Sequence, residues 1–384
     1  MSGGIEFCTL GMFILDEIEF DDGKPPVHGI AGGAGTHAVV GARLVAGPEH
    51  SRAVSWIIDV GSDFPQPILD QIQSWNTSCM IRVDKSRLTT RAWNGYGANE
   101  KRNFKYLTPK LRLEPEMLSD EQVMSRSFHM VCSSERAIRI VEEITRRRKD
   151  LQPAQTSRPI FVWEPVPDRC TPEDRETFLA ACRVIDIVSP NELELGMMFG
   201  RPGWNEDISE DREIVNRILR SGIGADKNGI IVIRAGKDGC YAYGKGQRRL
   251  WLPAYHQPAP DGQSPVVDPT GAGNSFLGAL AQGMVSDDDR APMQIIASTL
   301  AGSAAWSRLV DAWGDKRQVP KALICATTAA GFVVEQIGVP NVSKAADGSE
   351  CWNGTRFTER LHMYTQRLCK ILEESSQTQT WLTE

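Results

Sequence analysis

The residues best suited to chemistry stand together at 266–276, where a short apolar run meets a glycine turn and an apolar-periodic segment begins at Phe276. This pattern predicts a strand, a turn and the start of a helix. Gly271, Ala272 and Gly273 have almost no side chain, so their backbone amides can face a concavity. Amides at a helix N-terminus bind anions, phosphate above all. The segment therefore predicts an anion hole.

Polar residues flank this turn: Asp268, Thr270, Asn274 and Ser275. The alternative interpretation is a plain glycine turn before a core helix, which is the commoner outcome for a short glycine pattern on its own. The polar neighbours favour a binding role here.

A second glycine cluster, Gly32 and Gly33, precedes a predicted helix that begins near His37. Glycines allow a substrate to approach the backbone closely. His37 adds a side chain that titrates near neutrality. A histidine at a helix start can also simply face solvent, and both interpretations stay open at this point.

Oxygen-bearing side chains stand at two further places. Asn191 and Glu194 lie one helical turn apart, where their oxygens can organise waters around Mg²⁺. The alternative is a capped helix with an acidic first turn. Asp16 follows the first predicted strand, 5–15, and is either a ligand-binding carboxylate or a turn residue that solvates the strand end.

The surrounding pattern predicts the elements that position these residues. From Phe128 onward, strands alternate with helices, which indicates a mostly parallel sheet. The earlier runs at 80–83, 88–93 and 104–107 are short and alternate in polarity, so they predict the strands of a small antiparallel sheet. The segment 357–372 has an apolar helical face and predicts a final helix.

Composition excludes several classes of protein. The 384 residues are 41% hydrophobic and 24% charged, which fits one large α/β domain or two modest ones. A net charge of −6 without a dominant basic block argues against nucleic-acid binding. Nine cysteines without a CxxC pair indicate a reduced, cytoplasmic protein, and no apolar run reaches membrane length.

The string Asp-Pro-Thr-Gly-Ala-Gly-Asn-Ser-Phe at 268–276 resembles the C-terminal signature of the pfkB/ribokinase carbohydrate kinases. In that family the glycines hold the phosphate being transferred, and an aspartate near the end of the string deprotonates the acceptor hydroxyl. This chain has Asn274 in that place. The resemblance therefore implies an anion hole at Gly271, Ala272 and Gly273 and puts the general base in question.

Further motifs appear in the family's order. The resemblance implies that Asp16, Gly32, Gly33 and His37 bind the acceptor, with His37 standing where the family usually has asparagine. The string at 190–194 is similar to the family's PNxxE motif. That likeness implies that Asn191 and Glu194 serve Mg²⁺.

The turn at 235–241 resembles the family's turn beside the nucleotide phosphates. It is not a P-loop, because GxxxxGK[ST] is absent. On this basis we assign Arg234, Gly236 and Gly239 to ATP, together with Asp268 and Thr270 of the glycine string. Arg234 replaces the small hydroxyl residue common in the family at that strand end, and it either reaches a phosphate or merely blocks the pocket.

The resemblance covers roughly residues 5–337 and implies a ribokinase-like three-layer αβα sandwich with a mostly parallel central sheet and a small β lid. One domain would span 1–384, with 78–110 as the inserted lid and 341–384 as a C-terminal helix and tail. The lid segment 89–110 also resembles the fungal maintenance-of-killer kinase-like proteins. The lid is the expected surface for a homodimer.

Two functions of different class follow from the resemblance. The first is a kinase that transfers the γ-phosphate of Mg-ATP to a hydroxyl of a sugar or nucleoside-like acceptor. The second is a pseudo-kinase that binds nucleotide or partners, because the Asn274 amide accepts a hydrogen bond but takes no proton. An unrelated dinucleotide-binding enzyme is a third reading, and the lack of GxGxxG after the first strand counts against it.

Overall fold

The computed structural model describes residues 4–20, 25–96, 102–152, 157–257 and 264–376. In chain order the strands are β1 Phe7–Thr9, β2 Ile14–Phe20, β3 Val27–Gly32, β4 Val54–Val60, β5 Ser78–Val83, β6 Arg91–Tyr96, β7 Arg102–Tyr106, β8 Ser127–Cys132, β9 Ile160–Pro165, β10 Ile187–Val188, β11 Ile230–Arg234, β12 Cys240–Gly244, β13 Leu250–Leu252, β14 Val342–Lys344 and β15 Glu350–Trp352. The helices are α1 Ala34–Ala46, α2 Gln66–Ser74, α3 Asp120–Val123, α4 Ser134–Leu151, α5 Arg175–Cys182, α6 Glu192–Met198, α7 Ser209–Ser221, α8 Ala272–Val285, α9 Ala291–Leu300, α10 Ala304–Trp313, α11 Gln318–Val333 and α12 Phe357–Ser376.

Within the described ranges, nine strands form one large sheet in the order β13-β12-β11-β10-β9-β8-β1-β4-β5. From β11 to β5 every neighbouring pair is parallel, while β12 and β13 add an antiparallel edge. The carboxyl ends of the parallel strands therefore meet along one edge. This arrangement confirms the mostly parallel sheet that the sequence predicts.

Apolar residues fill both faces of this sheet. In β11, Val232 faces one core, and its neighbours Ile231 and Ile233 face the other, as the two-residue period of a strand requires. The first core lies against α1, α8 and α11, and the second lies against α4, α5 and α7. Helices thus cover both faces, which confirms the three-layer αβα sandwich.

A second, smaller sheet has the order β3-β2-β6-β7. The β2–β6 pair is parallel, and the two outer pairs are antiparallel. The small sheet expected beside the main one is therefore present, although it is not wholly antiparallel. We call these four strands the lid.

Two predicted strand assignments are wrong. The single strand expected at 5–15 is two strands in different sheets, β1 and β2, so Asp16 lies inside the lid rather than at an edge of the main sheet. The strand expected in the lid at 80–83 is part of β5, which pairs in parallel with β4 in the large sheet. The lid therefore does not begin at 78, and two of its strands precede β5. Local alternation reveals a strand but not its pairing partner.

The part of the chain after 341 holds more than the predicted helix. A hairpin of β14 and β15 precedes α12, which packs through Leu361 and Tyr364 onto the core beside α11. The predicted tail beyond 376 lies outside the described residues. Across the described helices, none is both long enough and apolar enough to span a membrane.

Two helices carry the predicted glycine motifs and cross at close range. A Cβ at Gly41 of α1 would overlap the carbonyl of Ser275, and one at Gly278 of α8 would overlap the carbonyl of Ala38. Glycine at these two positions lets the backbones approach. The N-terminal ends of α1 and α8 consequently lie side by side.

Candidate active site

The predicted glycine turn forms the N-terminal end of α8. Gly271 precedes the helix with φ 80°, in the left-handed region that glycine adopts without strain. Its carbonyl accepts a hydrogen bond from the Ser275 amide at 2.9 Å. The Thr270 amide donates to Asp268 Oδ1 at 2.8 Å, and the Asp268 amide donates to the Val334 carbonyl at 3.1 Å. These bonds fix the turn against the end of α11.

The amides of the predicted anion hole are not equivalent. The Ala272 amide donates to the Pro269 carbonyl at 3.2 Å, within the turn itself. The first amides of an α-helix have no acceptor inside the helix. Beyond Ala272, these are the amides of Gly273 and Asn274, which can face an anionic ligand.

Arg234 brings a positive charge to this place. It ends β11, and its Nη2 atom donates to Glu164 Oε1 at 2.8 Å, to the Ser189 carbonyl at 3.1 Å and to Glu194 Oε2 at 3.3 Å. A Cβ at Gly273 would overlap Arg234 Nη1. The guanidinium therefore lies directly on the anion hole, where its side chain is 12% exposed.

Glu164 is a site residue that the sequence analysis missed. It lies near the carboxyl end of β9, is buried, and its Oε2 atom accepts a hydrogen bond from Asn274 Nδ2 at 2.5 Å. The signal available in the sequence was an acidic residue at the end of a strongly apolar strand, just before a proline-rich loop. Such a carboxylate is seldom buried unless it has a partner.

The electrostatics of this cluster follow from burial and charge. Burial raises the pKa of Glu194 to about 7, with Arg234 opposing the rise and Glu164 adding to it. For Arg234, burial disfavours the charge, but the carboxylates of Glu164 and Glu194 outweigh that effect and raise its pKa. A charged guanidinium thus stays between two carboxylates beside the turn.

Asn191 and Glu194 meet as a helix cap. Asn191 Oδ1 accepts from the Glu194 amide, and Glu194 Oε2 accepts from the Asn191 amide, each at 2.8 Å. This is the capped helix with an acidic first turn that the sequence analysis left open. In the described part of the chain, no group of three or more His, Cys, Asp or Glu side chains is arranged to hold a metal ion. A role toward Mg²⁺ stays a prediction.

The acceptor residues predicted near the N-terminus lie together. His37 is 3% exposed, and a Cβ at Gly271 would overlap its ring, so the solvent-facing alternative for His37 is wrong. The Asp16 carboxylate lies against the Cα of Gly32, where a Cβ would overlap it. Gly33 directly precedes α1 and so joins this group to the helix that carries His37.

The lid adds aromatic residues that sequence reasoning did not find. Asp16 pairs across the lid with Ala92, which pairs with Tyr106, so these three residues share one face. Burial raises the pKa of Tyr106 to about 12, with the nearby charges of Asp16 and Asp168 adding to the rise. The Phe104 ring meets the Tyr106 ring edge-on, with centroids 5.0 Å apart.

The two glycines assigned to the nucleotide differ. Gly236 follows Arg234 in a turn with φ 51°, and a Cβ there would meet nothing within 4 Å. A Cβ at Gly239 would overlap the carbonyl of Leu252. Gly236 therefore has room for a ligand, while Gly239 serves the packing of the sheet edge.

A buried imidazole lies close to Arg234. His129 is fully buried in β8, and its Nδ1 atom is 2.9 Å from the hydroxyl of Thr9, which accepts from the Gly11 amide. Burial lowers the pKa of His129 to about 3, and the charge of Arg234 adds to the effect. The imidazole is therefore neutral at physiological pH.

Comparison with known proteins agrees with this architecture. The family described as pfkB family carbohydrate kinase matches residues 8–345. An uncharacterized protein of Schizosaccharomyces pombe is 32% identical over 381 residues, covering 96% of this chain and 94% of that protein. Protein MAK32 of Saccharomyces cerevisiae is 32% identical over 373 residues, covering 93% of this chain and 91% of that protein.

The solved structure of Arabidopsis thaliana ribokinase complexed with ribose and ATP superposes with a TM-score of 0.59 at 15% identity, covering 95% of this chain and 99% of that one. The fold is thus ribokinase-like. With the family match over most of its length, the chain belongs to the pfkB family of carbohydrate kinases. The resemblance of 268–276 and the narrower likeness to the fungal proteins are both confirmed.

Proposed function

We propose that this chain is a small-molecule kinase that transfers the γ-phosphoryl group of ATP to a hydroxyl of a sugar or nucleoside-like acceptor. The observation that carries the proposal is the group of contacts at the start of α8. There the guanidinium of Arg234 lies on Gly273, and the carboxylate of Glu164 is bonded to Asn274. An anion site, a cation and a proton acceptor thus stand in contact.

This arrangement suits the electrostatics of phosphoryl transfer. The transition state is loose and spreads negative charge over the transferred group, so catalysis depends on positioning and charge stabilisation. First-turn amides at Gly273 and Asn274 and the guanidinium of Arg234 are fixed before a substrate arrives. Donors held in this way stabilise developing charge strongly, because they need little reorganisation.

Magnesium fits this site only in company with the nucleotide. Mg²⁺ usually keeps several waters and binds through substrate phosphates and one or two carboxylates. Asn191 and Glu194 already form hydrogen bonds in the helix cap, and Glu194 also accepts one from Arg234. They would therefore hold the ion through waters. When bound, Mg²⁺ supplies charge neutralisation at the phosphates.

The acceptor side favours a polyhydroxylated molecule with one apolar face. The carboxylate of Asp16 is an acceptor for hydroxyl donors, and Tyr106 shares its face of the lid. The Phe104 ring is 45% exposed and lies against Tyr106. Sugars and nucleosides combine hydroxyl groups with an apolar ring face in this way.

A second function is favoured by one specific observation. Arg234 is already paired with Glu164 and Glu194, and its guanidinium covers Gly273. A protein that binds a phosphate-bearing ligand without turnover needs only that anion site, and the amide of Asn274 takes no proton. The second candidate is therefore a pseudo-kinase that binds nucleotide.

One experiment separates these functions. Purified protein is incubated with Mg-ATP and a panel of sugars and nucleosides, ADP release is measured, and calorimetry measures ATP binding. Gly273→Asp is the matched control, because its side chain would displace Arg234. Acceptor-dependent ADP release that the control loses supports the kinase, and binding without turnover supports the pseudo-kinase. Folded protein that binds no ATP at millimolar concentration would exclude both the kinase and the pseudo-kinase function.

A further inference from the structure

Glu164 places a carboxylate beside the side chain that opens α8. Its Oε2 atom accepts from Asn274 Nδ2 at 2.5 Å, and its Oε1 atom accepts from Arg234 Nη2 at 2.8 Å. Asn274 lies in the first turn of the helix, next to the amide that faces a bound phosphate. A hydroxyl that attacks this phosphate releases its proton within reach of this corner of the site.

We propose that Glu164 is the general base of the transfer and that Asn274 orients its carboxylate. The inference rests on the kinase function proposed above and assigns one residue within it. Glu164 is 110 residues from Asn274 in the sequence, and the fold of β9 against α8 brings them together.

Other side chains at the turn are less suited to take the proton. Asn274 has an amide, which does not accept a proton at neutral pH. Asp268 precedes the turn and accepts from the Thr270 amide. The His37 ring lies against Gly271, which precedes the helix. Glu164 is the carboxylate in direct contact with the first turn of α8.

Charged and titratable groups approach Glu164 from three elements. Arg234 approaches from β11, Glu194 from the start of α6, and Cys170 from the loop after β9. Arg234 and Asn274 each donate to one oxygen of this carboxylate and so hold it in a fixed orientation. Phosphoryl transfer depends chiefly on positioning, so an oriented proton acceptor suits it.

The step balances without a further reactant. The acceptor oxygen forms a bond to the γ-phosphorus of ATP. The bond from that phosphorus to the β–γ bridging oxygen breaks, and its electron pair leaves with ADP. The hydroxyl proton moves to a carboxylate oxygen of Glu164, and Arg234 stays hydrogen-bonded to the other oxygen.

The test exchanges the carboxylate and the amide. Glu164→Gln removes the base and keeps the shape, and the double variant Glu164→Gln with Asn274→Asp returns a carboxylate to the opposite partner. Glu164→Asp serves as a second single variant that keeps the charge beside Arg234 but withdraws it from Asn274. For each protein, kcat and KM are measured from ADP release with the best acceptor of the panel, or with water as acceptor. Calorimetry with ADP and the melting temperature are measured beside them.

The expected result is a kcat that falls ~10²–10⁴-fold in Glu164→Gln, the usual contribution of general-base catalysis. KM and ADP affinity change far less than kcat, and the melting temperature falls, because a glutamine cannot accept from both Arg234 and Asn274. Glu164→Asp has an intermediate kcat, and the exchanged double variant regains most of the turnover. An unchanged kcat in Glu164→Gln overturns the assignment and leaves the kinase function standing. A fall in kcat matched by an equal loss of ADP affinity also overturns it, because Glu164 is then only the counter-ion of Arg234. A natural protein that binds ATP but transfers to no acceptor overturns the proposed function and the base together.

Discussion

The start of α8 and the lid hold their polar groups in different ways. At the start of α8, which is the phosphate end of the proposed site, Arg234, Glu164 and Glu194 come from separate elements and bond to one another, and each is buried or nearly so. At the lid end, Asp16 and Tyr106 share one sheet face, and the neighbouring Phe104 is half-exposed. In the proposed kinase, the central sheet would therefore fix the charges for transfer, and the smaller sheet with its open surface would recognise the acceptor.

The largest effect is expected from removing the charge of Arg234 at the phosphate end. Arg234→Met removes the guanidinium and leaves Glu164 and Glu194 as buried carboxylates without their shared partner. Breaking a buried ion pair in this way costs about 3–5 kcal/mol of unfolding free energy. Chemical denaturation near neutral pH measures the loss, and Arg234→Lys, which keeps the charge, should lose less. Equal stability of the methionine variant and the natural protein would show that the three charges do not depend on one another.

Asn274→Asp tests a second contact at the phosphate end, the hydrogen bond between Asn274 and Glu164. The change replaces a hydrogen bond between Asn274 and Glu164 with two carboxylates in contact, which should cost about 2–3 kcal/mol of unfolding free energy near pH 8. Two adjacent carboxylates raise the pKa of one of them. The pair then takes up a proton as the pH falls, and the loss of stability shrinks toward about pH 5.

The matched control for this change is the double variant that also carries Glu164→Gln. It restores one amide and one carboxylate, so its unfolding free energy should return toward that of the natural protein. If the double variant is no more stable than Asn274→Asp alone, the contact between the two side chains is not the cause.

The pH dependence of stability tests the buried imidazole near Arg234. The pKa of His129 is lowered to about 3 by burial, whereas an unfolded histidine titrates near about 6.5. The unfolded chain therefore binds the proton first, and stability falls as the pH drops below the unfolded value. The loss should reach about 2 kcal/mol between pH 7.5 and pH 5. Denaturation of His129→Gln at both pH values is the control, and an equal loss there would assign the effect to other groups.

The smallest expected effect belongs to the lid. Tyr106→Phe removes one hydroxyl from the face that Asp16 shares, and should weaken acceptor binding by about 1 kcal/mol, the usual size of one hydrogen bond. ATP affinity by calorimetry should not change, because the phosphate end does not involve the lid face. A variant that loses ATP affinity as well would mean that the two ends are coupled.

Local sequence signals predicted much of this molecule. Short apolar runs located the parallel strands from β8 onward, and helical periodicity located α4 and α12, because these patterns depend on residues a few positions apart. The glycine turn at 271–273 and its place at the start of a helix were predicted for the same reason. The small sheet was expected too, although its membership was not, since β5 belongs to the large sheet.

The candidate site was predicted in part. The sequence singled out Asp16, His37, Arg234 and Asn274, and the fold brings His37 and Arg234 onto Gly271 and Gly273 of one turn. It did not indicate Glu164, His129 or the aromatic face at Tyr106. Glu164 carried a weak signal, an acidic residue at the end of an apolar strand, but nothing along the chain indicates which residues it contacts.

The sequence by itself determined the family signature, the alternation of strands and helices from Phe128 onward, and the replacement of a carboxylate by an amide at Asn274. The tertiary structure alone decided that Glu164 lies against this amide and that Arg234 covers Gly273. The physical reason is distance along the chain. Strand ends that are 70 and 110 residues from their partners leave no periodic trace in the sequence, and only the packing of β9, β11 and α8 brings their charges into contact.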